Sequence, residues 1–213
     1  MARNESPQGN PRGLVSVLLA RFSAIGDVAM TVPVIYSACL CYPDIRFVLV
    51  TRPAMANIFV NAPANLSVVG ADIKTDYRGP RGMFRLVRQL DRKYSFDAFI
   101  DLHDVIRTRL MGLACRLRGI SVVRFDKGRG AKRQLTRNRN KVMLPRPSQR
   151  ARFREAFFKA GLPVEYRFDS LYGGRAKADP ALFGKSPRQK LPASAGWASL
   201  PSPPTRAKFT HPR

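Results

Sequence analysis

The sequence has no long hydrophobic run, few acidic residues and only three cysteines. No stretch approaches the roughly 18 unbroken apolar residues of a membrane-spanning helix. Residues 1–13 are polar and lack the apolar core of a secretion signal, so we interpret them as a flexible leader. Cys39, Cys41 and Cys115 lack a zinc-binding spacing, we expect Cys39 and Cys41 to be small buried residues, and the compartment expected is the reducing cytoplasm.

Acidic residues are scarce relative to basic ones. The 213 residues include 38 Lys or Arg against 14 Asp or Glu, which gives a formal net charge of +24. A positive field of this size favours phosphate-bearing partners, which include nucleic acid, anionic membrane surfaces and phosphorylated glycolipids. Charge alone does not choose among these partners.

Short apolar stretches alternate with segments of helical periodicity between residues 14 and 172. Buried strands are predicted at 14–20, 46–50, 67–69, 96–102 and 122–125. Helices are predicted at 28–40, 53–59, 83–90, 105–117 and 148–160, with a Gly- and Pro-rich loop at 77–82. This alternation predicts βαβ units and therefore an α/β domain with a Rossmann-like, doubly wound parallel sheet.

The composition changes after residue 172. Residues 173–213 are rich in Gly, Pro, Ser, Lys and Arg, contain a single acid, Asp179, and have no sustained periodicity. By itself this composition predicts a disordered basic tail, because it offers too little apolar surface to offset the entropy of ordering.

The segment RFSAIGD, residues 21–27, lies between the first predicted strand and the first predicted helix. In a doubly wound sheet this turn lies at the carboxyl edge, where ligands bind. Gly26 would allow the backbone to approach a ligand, and the helix amides behind it favour an anion. The segment is not a G-x-G-x-x-G fingerprint, so NAD binding is not expected. Asp27 is either a helix-stabilising cap or first-turn carboxylate, or a functional group.

A second polar cluster, Asp101, His103 and Asp104, follows the fourth predicted strand at the same edge. Three ligands so close in sequence seldom converge on one metal ion, so we expect no metal site. We expect Asp104 to cap the next helix and His103 to lie near the cleft. Arg107 and Arg109 follow on that helix, and arginine suits bidentate binding of anions.

Residues 127–154 contain eleven Lys or Arg residues and no acid. Two interpretations are open: a solvated, self-repelling segment, or a docking surface for anionic lipid headgroups and glycolipid phosphates. Nucleic acid is not expected as a partner, because the segment has no aromatic stacking platform and no recognised binding motif.

Four segments resemble, in the same order, motif blocks of glycosyltransferase family 9, the lipopolysaccharide heptosyltransferases. They are RFSAIGDVAMTVPVI (21–35), YPDIRFVLVTRP (42–53), FDAFIDLHDVIRTRLM (96–111) and FDKGRGAKRQL (125–135). The resemblance covers residues 14 to about 172. It implies the N-terminal, acceptor-side half of a GT-B fold, in which two Rossmann-like domains enclose the active site.

The resemblance also implies a reaction: inverting, metal-independent transfer of heptose from a nucleotide-activated donor of the ADP-heptose type to the phosphorylated inner core of lipopolysaccharide. Asp27 matches the family's proposed general base, which removes the proton of the attacking hydroxyl. Ser23, Ala24, Ile25 and Gly26 line the same turn and are expected to contact the donor. No cofactor is implied.

By the same resemblance, His103, Arg107, Arg109 and Lys127 are expected to contact phosphates or acidic sugars of the acceptor. The protein is expected in the cytoplasm, with peripheral contact to the anionic inner face of the inner membrane. The alternative function is non-catalytic binding of anionic glycolipid or nucleic acid through the basic surface.

The tail departs from the family. A second domain should begin near residue 190 with strand and glycine motifs for the nucleotide, but residues 196–213 are GWASLPSPPTRAKFTHPR. Shifted by one base and with permitted codons, this stretch can encode GIAPFAAHQGKIYP, which resembles the family's second-domain opening. We therefore expect residues 173–213 to be out of frame, in place of the nucleotide-sugar domain, and the chain to be inactive as a transferase.

Overall fold

The computed structural model describes residues 12–127 and 147–171. Within these ranges one parallel sheet contains five strands: β1 (Ser16–Ala20), β2 (Arg46–Thr51), β3 (Leu66–Gly70), β4 (Ala98–Asp101) and β5 (Ser121–Arg124). Their order across the sheet is β3-β2-β1-β4-β5. In register, Leu18 of the central strand lies opposite Val48 on one side and Phe99 on the other.

Among the described residues, six helices cover the two faces of this sheet. They are α1 (Ile25–Ala29), α2 (Val32–Cys41), α3 (Pro53–Ala56), α4 (Gly79–Tyr94), α5 (Ile106–Arg116) and α6 (Gln149–Lys159). Successive side chains of a strand point to opposite faces, and accordingly Leu19 packs with α2 and α6 whereas Leu18 packs with α4 and α5. The described part of the chain is therefore a three-layer α/β/α arrangement, and none of its helices is long and apolar enough to cross a membrane.

The predicted strands are all present, and the doubly wound, Rossmann-like sheet is confirmed. Cys39 and Cys41 are buried, as expected, and Cys115 is buried too, which raises its pKa to about 12. The predicted leader, the centre of the basic run (128–146) and the tail after residue 171 lie outside the described residues.

The helix predicted at 28–40 is instead two helices, α1 and α2, separated at Met30 and Thr31. Pro33 lies in the first turn of α2. Proline is tolerated there because the N–H that it lacks would have no partner within the helix. A second helix can therefore begin where the sequence pattern suggested one continuous helix.

The loop predicted at 77–82 is wrong in its second half, because α4 already begins at Gly79. Gly79 has a left-handed backbone (φ 69°), and Pro80 lies in the first helical turn. A Cβ atom on Gly82 would overlap the backbone carbonyl of Tyr77. The glycines and the proline therefore allow the chain to pack closely against the start of the helix.

The direction of the chain across the sheet reverses between β1 and β4. From β1 the chain continues outward to β2 and β3, and it then crosses to β4 and β5 on the other side. In such sheets the loops after the two strands at the reversal separate, which leaves a crevice at the carboxyl edge. Here the crevice is flanked by residues 21–27 and 102–105.

Candidate active site

Arg21 follows β1 directly, and its side chain is almost wholly buried, with 4% exposed. Its Nη2 lies 2.5 Å from Oδ2 of Asp27, and its Nη1 donates to the carbonyl oxygen of Leu102 at 2.6 Å. The guanidinium also lies over the ring of Phe153 in α6, 5.7 Å from the ring centroid. Arg21 therefore connects the loop after β1 to the loop after β4 across the crevice.

Asp27 lies in the first turn of α1 with 45% of its side chain exposed. The N-cap position of α1 is Ala24, so the interpretation of Asp27 as the cap is wrong. Burial lowers the pKa of Arg21, and the Asp27 carboxylate acts in the opposite direction by stabilising the charged guanidinium. Because Arg21 holds the carboxylate while nearly half of it faces solvent, Asp27 is both fixed and accessible to a hydroxyl group.

The turn between Arg21 and Asp27 is open to solvent. Ser23 is half-buried, and Ala24, Ile25 and Gly26 are exposed. A Cβ atom on Gly26 would meet no atom within 4 Å, so packing within the chain does not require glycine there. Helix α1 has only five residues, and so short a helix gives less support to an anion site at its amino end than the sequence suggested.

The loop after β4 is organised by Asp101, which is buried at the end of that strand. Its Oδ1 accepts hydrogen bonds from the backbone N–H groups of His103 and Asp104, both at 2.8 Å. Burial raises the pKa of Asp101, and these two hydrogen bonds act in the opposite direction. Asp101 therefore fixes the backbone of the loop rather than facing the crevice.

Asp104 does not cap α5, whose N-cap residue is Val105. N-cap residues take an extended backbone, whereas Asp104 has a left-handed one (φ 49°). Its Oδ1 instead pairs with Nε of Arg109 at 2.8 Å. Among the described residues, no group of three or more His, Cys, Asp or Glu side chains is arranged to hold a metal ion.

His103 lies at this loop with its Nδ1 buried and without a hydrogen-bond partner in the described part of the chain. Burial lowers its pKa to about 4, and the positive charges of Arg21 and Lys127 act in the same direction. His103 is therefore neutral near pH 7, and a ligand would meet it as a hydrogen-bonding group rather than as a cation.

The lowered pKa of His103 predicts a specific loss of stability in acid. Between about pH 6.5 and pH 4 the unfolded chain binds a proton at this residue and the folded chain does not, so acidification favours unfolding. We expect urea denaturation to show a smaller drop in unfolding free energy, from about pH 7 to about pH 4.5, for His103→Gln than for the parent protein. Equal drops in the two proteins would contradict the assignment.

A cleft of about 930 Å³ opens next to this loop, between the first turns of α4 and α5. Three arginines line it: Arg78, Arg107 and Arg109. Arg109 is paired with Asp104, whereas Arg107 is exposed and makes no ion pair within residues 12–127 and 147–171. The cleft therefore presents positive charge that an anionic ligand can neutralise.

Lys127 is brought to the same loop from the end of β5. Its Nζ donates to the carbonyl oxygen of Asp104 at 2.8 Å, and its own carbonyl accepts from Nη1 of Arg152 at 2.9 Å. Lys127 and Arg109 thus both contact Asp104, one residue after His103. The structure brings the predicted residues His103, Arg109 and Lys127 together on one side of the crevice. Arg107 lies in the adjoining cleft.

Neither a family model nor a curated protein sequence matches this chain. Solved structures do match. The described architecture is similar to Escherichia coli heptosyltransferase WaaC with ADP-2-deoxy-2-fluoro heptose, with a TM-score of 0.50 and 20% identity over 78% of this chain and 56% of that chain. The chain shares its fold with a heptosyltransferase.

The same enzyme with ADP gives a TM-score of 0.50 and 20% identity over 78% of this chain and 55% of that chain. A glycosyl transferase family 9 structure from Veillonella parvula DSM 2008 gives 0.49 and 14% identity over 74% and 46%. At 20% identity the similarity to the WaaC structures establishes the fold. The chain spans little more than half the length of the WaaC structure.

Sequence reasoning did not assign a role to Arg21 or Arg52, although each directly follows a buried strand. Nε of Arg52 is buried and has no hydrogen-bond partner among the described residues, and the charge of Arg52 contributes to the low pKa of His103. The sequence does contain a usable signal, because the first charged residue after a fully apolar strand lies at the carboxyl edge. Arg78, at the start of α4, was missed because the segment around it was taken for a loop.

Proposed function

We propose that this protein is the acceptor-side part of an inverting glycosyltransferase of the lipopolysaccharide heptosyltransferase type. The observation that carries the proposal is the Arg21–Asp27 pair, a half-exposed carboxylate held by a buried arginine where the sheet order reverses. The ordered motif blocks support it, as does the fold shared with an enzyme solved with a nucleotide-heptose analogue.

In this proposal Asp27 accepts the proton of the acceptor hydroxyl while that oxygen attacks the anomeric carbon of the donor. The bond from the anomeric carbon to the nucleoside diphosphate breaks on the opposite face, and the diphosphate leaves with both electrons of that bond. Positive charge develops on the sugar ring, and a nearby carboxylate stabilises it. Arg21 is a positioning residue, since it holds Asp27 from an almost wholly buried position.

The remaining predicted residues divide between the two substrates. Ser23, Ala24, Ile25 and Gly26 are proposed to contact an ADP-heptose type donor, and the open space above Gly26 supports a close approach there. The acceptor is proposed to be a phosphorylated core glycolipid. Its phosphates would meet the cations around the cleft, which are Arg107, Arg109 and Lys127, with His103 as a neutral neighbour.

Acceptor binding can be tested on the chain itself. We expect a phosphorylated inner-core oligosaccharide to bind, and Arg107→Gln to weaken its binding about tenfold, which is the scale of one lost charge-assisted hydrogen bond. The matched control is Arg46→Gln, which removes the same charge from an exposed position at the amino end of β2, away from the carboxyl edge. Titration calorimetry measures both.

Equal weakening by the two variants would show attraction to net charge rather than to the cleft. A parent protein that does not bind the oligosaccharide would remove the acceptor assignment. Displacement of the oligosaccharide by any DNA duplex, with a steep dependence on salt, would favour the alternative of a nucleic-acid binder.

A further inference from the structure

The outer surfaces of α4 and α5 together form a face rich in exposed arginine, which we call the arginine face. It comprises Arg81, Arg85, Arg88, Arg92, Arg107, Arg109, Arg116 and Arg118. Two of the acids that border it pair with its arginines: Asp91 with Arg118 at 2.6 Å, and Asp104 with Arg109 at 2.8 Å. A third acid, Asp76, is exposed and accepts a hydrogen bond from Arg85 through its backbone carbonyl. The other six arginines have no carboxylate partner among the described residues, so the face is strongly positive.

Large aliphatic side chains are exposed on the same face. Ile106 is 77% exposed, Leu113 46% and Leu117 72%, and all three lie on α5 or directly after it. A groove of about 610 Å³ runs between the two helices, and Phe84, Ala114 and Leu117 contribute apolar surface to it between arginines of both helices. Single exposed leucines are ordinary, but an aliphatic row among unpaired arginines is typical of surfaces that bind lipid bilayers.

Charge and chemistry together identify the occupant of this face. Anionic lipid headgroups attract arginine, and aliphatic side chains insert at the boundary between headgroups and acyl chains. Nucleic acid would use the charge equally well, but binding of single strands also uses exposed aromatic rings on which bases stack. The large hydrophobic side chains exposed on this face are aliphatic, whereas Phe84, an aromatic residue of the groove, is only partly exposed. We propose that the arginine face docks the protein on an anionic membrane surface.

The arginine face lies next to the cleft proposed to bind the acceptor, so docking on a membrane brings that cleft close to the lipid surface. Helices α4 and α5 both begin at the carboxyl edge of the sheet, and the cleft with Arg78 and Arg107 lies between their first turns. A membrane bound along the two helices would therefore lie next to that cleft, within reach of a lipid-anchored acceptor. This use rests on the proposed function, but vesicle binding requires no sugar transfer, so either proposal can fail alone.

The charge of the face is tested by flotation of the full chain with vesicles. We expect binding to phosphatidylcholine vesicles with about one-third phosphatidylglycerol, and little binding to phosphatidylcholine alone. The double variant Arg81→Gln/Arg88→Gln should bind the anionic vesicles about thirtyfold more weakly, at about fivefold for each charge near the surface. The matched control is Arg46→Gln/Lys159→Gln, which removes two exposed positive charges elsewhere on the domain, at the start of β2 and in the last turn of α6.

The aliphatic side chains distinguish a membrane from a nucleic acid. Leu117→Gln should weaken vesicle binding about tenfold, whereas Phe158→Gln, at a 67% exposed position on α6, should not. Both side chains are exposed, so neither change should alter folding, which circular dichroism checks. Equal losses for face and control variants would overturn the proposal. The proposal would also be overturned if Leu117→Gln bound vesicles as the parent does and the protein bound polyuridylate through Arg81 and Arg88.

Discussion

Replacing Asp27 by asparagine should lower sugar transfer at least about a hundredfold, which is the contribution typical of a general base. We propose that residues 173–213 are out of frame, and the measurement uses a frame-restored version, in which a nucleotide-sugar domain follows the described domain. Asparagine keeps an oxygen that can accept the hydrogen bond from Arg21, so the loop should retain its position. It cannot accept the proton of the attacking hydroxyl, and the chemical step should therefore slow while substrate binding changes little.

The matched control for this change is Asp44→Asn, an exposed acid in the turn before β2. It should leave transfer unchanged. Thermal melting of both variants separates a loss of catalysis from a loss of folding, because Arg21 becomes a buried cation without a countercharge in Asp27→Asn. If Asp27→Asn transfers sugar at the parent rate but melts at a lower temperature, Asp27 is only the counterion of Arg21.

The second large effect concerns the nucleotide-sugar domain. We propose that the 213 residues alone transfer no sugar above background, whereas the frame-restored protein does. In a two-domain transferase one domain holds the donor and the other the base. Positioning the two substrates accounts for about 7–11 kcal/mol of barrier reduction. The donor domain also supplies the groups that stabilise the departing diphosphate.

Both proteins are supplied with a radiolabelled nucleotide-heptose and a phosphorylated core acceptor at equal concentration, and their rates of sugar transfer are compared. Asp27→Asn in the frame-restored protein serves as the inactive reference. Comparable turnover by the 213-residue chain would contradict the need for a second domain. The nucleotide sequence of codons 173–213 tests the proposed frameshift separately. Its shifted reading frame either encodes the family's second-domain opening or does not.

The three inner strands β1, β2 and β4 were predictable because they are buried on both faces, whereas the edge strands β3 and β5 are only partly buried. All five residues of β1 are buried, and such strands appear in sequence as unbroken apolar runs. The errors occurred where local composition had more than one structural solution. Gly79, Pro80 and Gly82 suit a loop, and only the close approach of Gly82 to the Tyr77 backbone shows why they begin a helix.

The site was predictable in position but not in its contacts. The order of strand, turn and helix places Asp27 at the carboxyl edge whatever its neighbours are. Its partner Arg21 is held by the carbonyl of Leu102, 81 residues further along the chain, and by the ring of Phe153. Contacts over such separations leave no periodic pattern in the sequence, so the arginine that organises the site was seen only as part of a motif.

The position of Phe153, whose ring lies beneath Arg21, has a consequence for folding during synthesis on the ribosome. All five strands have emerged from the ribosome once Arg124 has, but Phe153 and Phe157, which cover one face of the sheet, emerge later. Until then Arg21 has its hydrogen-bond partners but not the aromatic surface on which it lies. The nascent sheet therefore exposes an apolar face, which is the kind of surface that chaperones bind. The packing around Arg21 is completed only when α6 docks.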